Sequence, residues 1–160
     1  MTKNIFYIIL VSHFFILSCS VRINKNKKIN SDIMLIKAIP GGSRAHIIAI
    51  SQSGVLSYNI GSFSNLERIA LHLDKNYKER VKILKEEKLY LLSNNLQRIS
   101  TTYADLKVVK DSWQYYLLID GKIVFFGYEN NQQYFPKEYR DLIIIILKNS
   151  HRFYKISGMT

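Results

Sequence analysis

Residues 112–127 read SWQYYLLIDGKIVFFG, and this stretch is the clearest indication of how the chain folds. Asp120 and Gly121 separate two runs that are rich in aromatic and β-branched residues. An Asp-Gly pair between such runs is the strongest short-range signal for a β-hairpin. A two-residue turn at this pair places Tyr116 opposite Phe125 and leaves both faces of the hairpin apolar. We therefore expect the hairpin to be the central strand pair of a sheet, buried by helices.

A second hairpin is predicted over residues 46–60, which read HIIAISQSGVLSYNI. A two-residue turn would mix polar and apolar residues on each face. A three-residue loop over residues 52–54 instead pairs Ile50 with Leu56 and gives one clean apolar face, which is the better solution for a sheet that buries one face. Gly54 is then expected to adopt the left-handed conformation that closes such a loop.

Three other segments have apolar spacings that are compatible with helices. Residues 86–99 carry leucines and an isoleucine at spacings of three and four, which form one apolar stripe. Residues 136–149 begin with Pro136, which suits the first turn of a helix, although the aliphatic run 142–147 is also compatible with a buried strand. For residues 65–73 a capping box favours a helix, while alternating apolar residues also permit a strand.

The remaining segments complete the predicted fold. Residues 33–39 and 79–84 are expected to be extended, residues 129–134 to form a polar loop, and residues 151–156 to add a last strand. The expected fold class is therefore α+β, with an antiparallel sheet built from β-hairpins and covered by two or three helices.

A targeting segment is predicted at the start of the chain. Lys3 supplies a positive charge, and residues 5–17 form an apolar run interrupted only by Ser12 and His13. A transmembrane helix needs about 20 residues, so this run is better explained as the hydrophobic region of a signal peptide.

The apolar run ends in Ile16-Leu17-Ser18-Cys19, which resembles the lipobox of bacterial lipoproteins. Leu17 stands where a smaller residue is usual. The resemblance implies export, attachment of a diacylglycerol to Cys19, cleavage before it and acylation of the new amino terminus. An ordinary secretory signal and an uncleaved anchor are the alternatives. Cys19 is the only cysteine, so the domain beyond it has no thiol for catalysis, disulfide bonds or thiolate metal sites.

These observations divide the chain into a signal peptide (1–18), a lipidated cysteine with a flexible basic linker (19–31), and a single α+β domain (32–160). The linker lacks the acidic run that directs some lipoproteins to the cell surface. We therefore expect the protein to be lipid-anchored in the bacterial cell envelope, on the periplasmic face of the outer membrane.

The basic composition does not indicate a nucleic-acid-binding protein. The net charge of +11 comes from residues that are spread along the chain, apart from Lys25, Lys27 and Lys28 in the linker. Lysine, asparagine and isoleucine are all frequent, as an AT-rich genome produces, and an exported protein meets little nucleic acid. The expected partners are the lipid bilayer, through acylated Cys19, and an unknown protein or envelope polymer.

The sequence contains no catalytic or metal-binding motif. Beyond the signal peptide the histidines are His46, His72 and His151, and no two have the spacing of metal ligands. Asp120 is explained by its turn. We assign no catalytic residues, metal ligands or cofactors, and expect a protein that is not an enzyme.

The functional expectation is a binding module. The arrangement of lipobox, linker, hairpins and helices resembles that of small uncharacterised envelope lipoproteins, and this resemblance implies no activity. We expect a non-enzymatic module that binds a protein or a cell-wall component; the alternative is an inhibitor or immunity protein against an exported toxin or hydrolase. The candidate binding residues are aromatic side chains near the open end of the 112–127 hairpin: Trp113, Tyr115, Tyr128 and Tyr134.

Overall fold

A computed structural model describes residues 31–39, 44–64, 70–74, 77–105, 107 and 109–156. The side chains of residues 63–64, 70–73 and 154–156 are outside this description. The described residues form one mostly antiparallel sheet of eight strands with two α-helices, so the predicted α+β fold is confirmed.

The described residues contain eight strands, two α-helices and one 3-10 helix. The strands are β1 (Ile33–Ala38), β2 (Ala45–Ile50), β3 (Val55–Ser64), β4 (Ala70–Leu73), β5 (Arg80–Ile83), β6 (Tyr103–Ala104), β7 (Gln114–Ile119) and β8 (Lys122–Tyr128). The helices are α1 (Glu86–Leu96), a 3-10 helix (Glu129–Tyr134) and α2 (Lys137–Ile156). Across the sheet the order is β4-β3-β2-β1-β7-β8-β6, and β5 also pairs with β3.

The strand at the centre of the sheet is β1, with antiparallel neighbours β2 and β7. Its side chains Ile33 and Leu35 are buried on one face of the sheet, and the side chain of Ile36 is buried on the other. The β7–β8 hairpin was expected to be the central pair, and this expectation is wrong, because β1 inserts between the two hairpins. β8 has only the short parallel strand β6 on its outer side.

The β2–β3 hairpin has the predicted register. Ile50 pairs with Leu56 and Ile48 pairs with Tyr58. Gly54 has a φ of 80°, as the three-residue loop requires.

The β7–β8 hairpin has the predicted turn and the predicted pairing of Leu118 with Ile123 beside it, but a different register further along the strands. Asp120 and Gly121 both have positive φ, which is the conformation of a type I′ turn. A β-bulge then shifts the pairing, so Tyr116 faces Phe126 and the predicted partner Phe125 faces Leu117. The shift turns Phe125 toward the helices, where its ring packs against aromatic side chains.

The long strand β3 has two short partners on its outer edge. β5 pairs with its first four residues, and β4 pairs with its last four. The extended prediction for residues 79–84 is therefore confirmed. The helix prediction for residues 65–73 is wrong over residues 70–73, because the backbone of β3 offers that segment a strand partner; residues 65–69 lie outside the described residues.

The helices confirm the predicted starts of α1 and α2 and correct other details of the prediction. α1 has the predicted start and ends at Leu96, three residues before the predicted end at residue 99. α2 begins directly after Pro136 and continues to Ile156, so both the strand alternative for 142–147 and the last strand at 151–156 are wrong. The continuation places Phe153 against Tyr58 of the sheet. Residues 129–134 form a 3-10 helix rather than a polar loop.

One face of the sheet carries the main core. Strand residues such as Leu35, Ile48 and Leu117 pack there against α1 and α2. Their helix partners are Leu89, Leu92, Tyr139, Leu142, Ile143 and Ile146. The opposite face carries a second apolar cluster made of Ile36, Ala38, Ala45, Tyr116 and Leu118. In the described part of the chain, no helix is long and apolar enough to cross a membrane.

Candidate functional site

The two ends of the sheet carry different groups of side chains. At one end, which we call the proximal end, Asp32 precedes β1 and forms hydrogen bonds with both hairpin turns. Its carboxylate accepts a hydrogen bond from the Gln52 amide, and its own amide donates to the Asp120 carboxylate at 2.9 Å. The described residues just before β1 therefore lie beside these two turns. The opposite end, which we call the distal end, holds the last residues of β1 and β8.

A half-buried ion pair organises the distal end. The Lys37 ammonium lies 2.8 Å from a carboxylate oxygen of Glu129, and the Tyr115 hydroxyl donates to the same oxygen at 2.6 Å. The ammonium also lies over the rings of Trp113 and Tyr115, 5.0 and 5.4 Å from their centroids. Cation–π contact and a shared carboxylate hold these side chains in one arrangement.

His46 lies beside this cluster and is fully buried. Its Nδ1 is 2.6 Å from the Tyr58 hydroxyl, and its ring centre is 5.5 Å from that of Trp113. Burial, followed by the charges of Arg44 and Lys37, lowers the pKa of His46 from 6.5 to about 4. Since His46 and Tyr58 are both shielded from solvent, this pair stabilises the distal end rather than meeting a substrate.

The structure brings together only some of the predicted binding residues. Trp113 and Tyr115 belong to the Lys37 cluster, where Trp113 is partly exposed and Tyr115 is buried. Tyr128 is buried on the other face of the sheet against Phe126. Tyr134 ends the 3-10 helix and is 71% exposed. The four residues thus lie near the distal end without forming one continuous surface.

The 3-10 helix is tied to the distal end by short hydrogen bonds. The Glu129 amide donates to the Trp113 carbonyl at 2.8 Å, and the Asn131 side-chain amide donates to Asp105 at 2.6 Å. Asn131 is buried. These contacts fix the segment that carries Tyr134.

Sequence reasoning missed Lys37, His46 and Glu129 as members of this cluster. Lys37 interrupts an apolar strand, and a charged residue in such a strand is a signal for a buried partner. The partner cannot be identified from the sequence, because Glu129 is 92 residues away.

A second surface feature lies at the proximal end. A shallow depression there is lined by Lys85, Glu86, Glu87, Tyr90 and Leu91, at the start of α1. Within the described ranges, no group of three or more histidine, cysteine, aspartate or glutamate side chains could hold a metal ion. The predicted lipidation site, Cys19, lies outside the described residues.

Comparison of the chain with protein-family profiles, curated proteins and solved structures finds no match.

Proposed function

We propose that the protein is a lipid-anchored lipoprotein of the bacterial envelope whose folded domain is a non-enzymatic binding module for a protein or a cell-wall component. The lipobox-like sequence before Cys19 supports the anchor. The observation that carries the binding role is the position of Asp32, the residue that follows the predicted linker, at the end of the sheet opposite Trp113 and Tyr134.

This arrangement suits a tethered binding domain. The linker between Cys19 and Asp32 has 12 residues and spans up to roughly 40 Å when extended. The six residues of β1 separate the two ends of the sheet by about a further 20 Å. A membrane-anchored molecule would then present its distal end to the envelope, with Tyr134 exposed and Trp113 partly exposed. Aromatic side chains with a polar atom are common at protein and carbohydrate contacts.

The anchor is tested by labelling cells with a palmitate analogue. We expect the wild-type protein and a Ser20→Ala control to be labelled and Cys19→Ala to be unlabelled. Undiminished labelling of Cys19→Ala would overturn the proposed anchor.

The binding surface is tested by a photo-crosslinking residue placed at position 134 in intact cells, with position 122 as the control. Lys122 is exposed beside the proximal turn. We expect a discrete crosslinked product from position 134 that position 122 does not form. Equal products at both positions would argue against a distal binding surface. A product containing a toxin or hydrolase that loses its activity in the complex would identify the inhibitor alternative.

A further inference from the structure

The strand β5 forms an open edge of the sheet. It pairs with β3 on one side, and no other strand of the described residues pairs with it. Its apolar side chains Val81 and Ile83 are 45% and 55% exposed. An edge strand of this kind can pair with another extended chain, unless its charges or a covering segment prevent the pairing.

The backbone of β5 directs hydrogen-bonding groups outward at two positions. The Leu84 amide, directly after β5, donates to the Gly54 carbonyl at 2.9 Å. In an antiparallel pair the direction of the backbone groups alternates along the strand, so Lys82 also directs its amide and carbonyl toward β3. Val81 and Ile83 direct theirs away from β3. Each of them therefore offers a donor and an acceptor to an added strand.

The two faces of β5 carry different side chains. Arg80 and Lys82 pair with residues of the main core, and cross-strand partners share a face, so these cations lie on the face that carries the helices. Val81 and Ile83 lie on the opposite face. An added strand would therefore meet cations on one face and apolar side chains on the other.

The cations of β5 have neutral partners in the described part of the chain. The Lys82 ammonium donates to the Asn149 carbonyl of α2, and the Arg80 guanidinium lies 5.8 Å from the centre of the Tyr77 ring. Neither cation forms an ion pair with a described carboxylate. Burial, followed by the charge of Arg152, lowers the pKa of Lys82. The edge thus has an excess of positive charge, which a carboxylate would offset.

This charge distinguishes between the occupants of the edge. A second copy of the chain, joined at β5 with its helices on the same face, would place Arg80 and Lys82 opposite cations, which is destabilising. A segment with carboxylates at alternate positions would place opposite charges there, and such pairs stabilise a sheet. The residues between the carboxylates would lie beside Val81 and Ile83, where apolar side chains bury apolar surface.

We propose that β5 binds an extended peptide segment of another protein, in which acidic and apolar residues alternate, as an additional strand of the sheet. Hydrogen bonds to the backbone of Val81 and Ile83 set the register, and the alternation of acidic and apolar side chains gives selectivity. The site is separate from the Lys37 cluster at the distal end and does not require a lipid anchor.

The first test titrates the full-length protein, in mild detergent, with a short dye-labelled peptide in which glutamate and valine alternate. The controls are a peptide of the same composition with its glutamates and valines in two blocks, and a peptide in which lysine and valine alternate. We expect fluorescence anisotropy to show binding that is at least about tenfold tighter for the alternating acidic peptide than for either control. Equal affinity for the three peptides would overturn the proposal.

A matched pair of variants tests the backbone contact. Val81→Pro removes an outward amide that β3 does not use, so the fold should be retained, while Val81→Thr keeps the amide. We expect Val81→Pro to weaken binding of the alternating acidic peptide by at least about tenfold and Val81→Thr to change it by less than about threefold. Equal affinities of the two variants would contradict strand addition.

Amide hydrogen exchange of the wild-type protein gives a readout that needs no variant. The acidic peptide should slow exchange at Val81 and Ile83 and leave Lys82, whose amide already faces β3, unchanged. Unaltered exchange at Val81 and Ile83 would overturn the proposal. Slow exchange there without peptide, increasing with protein concentration, would also overturn it and identify a second copy of the chain as the occupant.

Discussion

At the scale of single residues, the distal end depends on polar groups placed inside an apolar sheet. Lys37 and His46 occur on neighbouring strands, and each lies beside the ring of Trp113. Lys37 is matched by the Glu129 carboxylate, whereas His46 is held in an environment that disfavours its charge. The two residues therefore lead to different predictions. The fold should be sensitive to loss of the Glu129 carboxylate that pairs with Lys37, and to acid that protonates His46.

We predict that His46 makes the protein sensitive to acid. Its pKa is about 4 in the folded protein and near 6.5 when unfolded, so the unfolded chain binds the proton more readily. Stability should fall as the pH decreases from 6.5 to 4, with a contribution of at most about 3 kcal/mol. Urea unfolding across this range should show a smaller loss for His46→Gln than for the wild type. The exposed His151→Gln serves as the control and should retain the wild-type slope; an unchanged slope in His46→Gln would contradict the assignment.

We predict that Glu129→Ala destabilises the protein by about 1 to 2 kcal/mol, because the variant leaves the half-buried Lys37 ammonium and the Tyr115 hydroxyl without their shared acceptor. The matched control is Glu87→Ala, which removes the exposed ion pair with Lys88. That change should have no measurable effect. Chemical denaturation of both variants checks the prediction, and equal losses would show that the partial burial of the Lys37–Glu129 pair is unimportant.

At the scale of elements, the structure depends on how turns and helices meet the sheet. The β7–β8 bulge turns Phe125 toward Tyr139 of α2, where the ring centres are 5.2 Å apart. The continuation of α2 brings Phe153 to Tyr58 of β3, on the same face of the sheet. These contacts explain why one long helix forms where the local sequence permitted a strand.

The β2–β3 turn supplies the element-scale prediction. At Gly54 a Cβ would combine a left-handed backbone with a 2.8 Å approach to the Leu89 side chain, so Gly54→Ala should cost about 2 kcal/mol or more. Gly121 has a similar φ and open space around it, so Gly121→Ala should cost only about 1 kcal/mol. Thermal and urea unfolding of the pair measures the difference. Similar losses would mean that Leu89 moves aside without cost.

At the scale of the whole molecule, one continuous sheet joins the two ends. The main core includes residues of β1, β2, β3, β7, β8 and both helices, and the second cluster on the opposite face again joins β1, β2 and β7. The proximal end holds the two hairpin turns and Asp32, which follows the predicted linker, while the distal end holds the aromatic cluster. This polarity supports the proposed binding role, in which the distal end would face away from the proposed anchor.

We predict that the domain unfolds in a single cooperative transition. Trp113 is the only tryptophan and reports on the distal end, whereas far-ultraviolet circular dichroism reports on all strands and helices. The two signals should have the same midpoint in urea. Earlier loss of the Trp113 signal would show that the distal end unfolds independently.

Local sequence patterns predict the features that depend on neighbouring residues. These features are the Asp120-Gly121 turn, the left-handed Gly54, the β2–β3 register and the starts of α1 and α2. Long-range packing sets the central place of β1, the pairing of β4 and β5 with β3, and the ion pair between Lys37 and Glu129. These features escape a local pattern because strand edges and half-buried charges are satisfied by whichever distant segment the packing brings near.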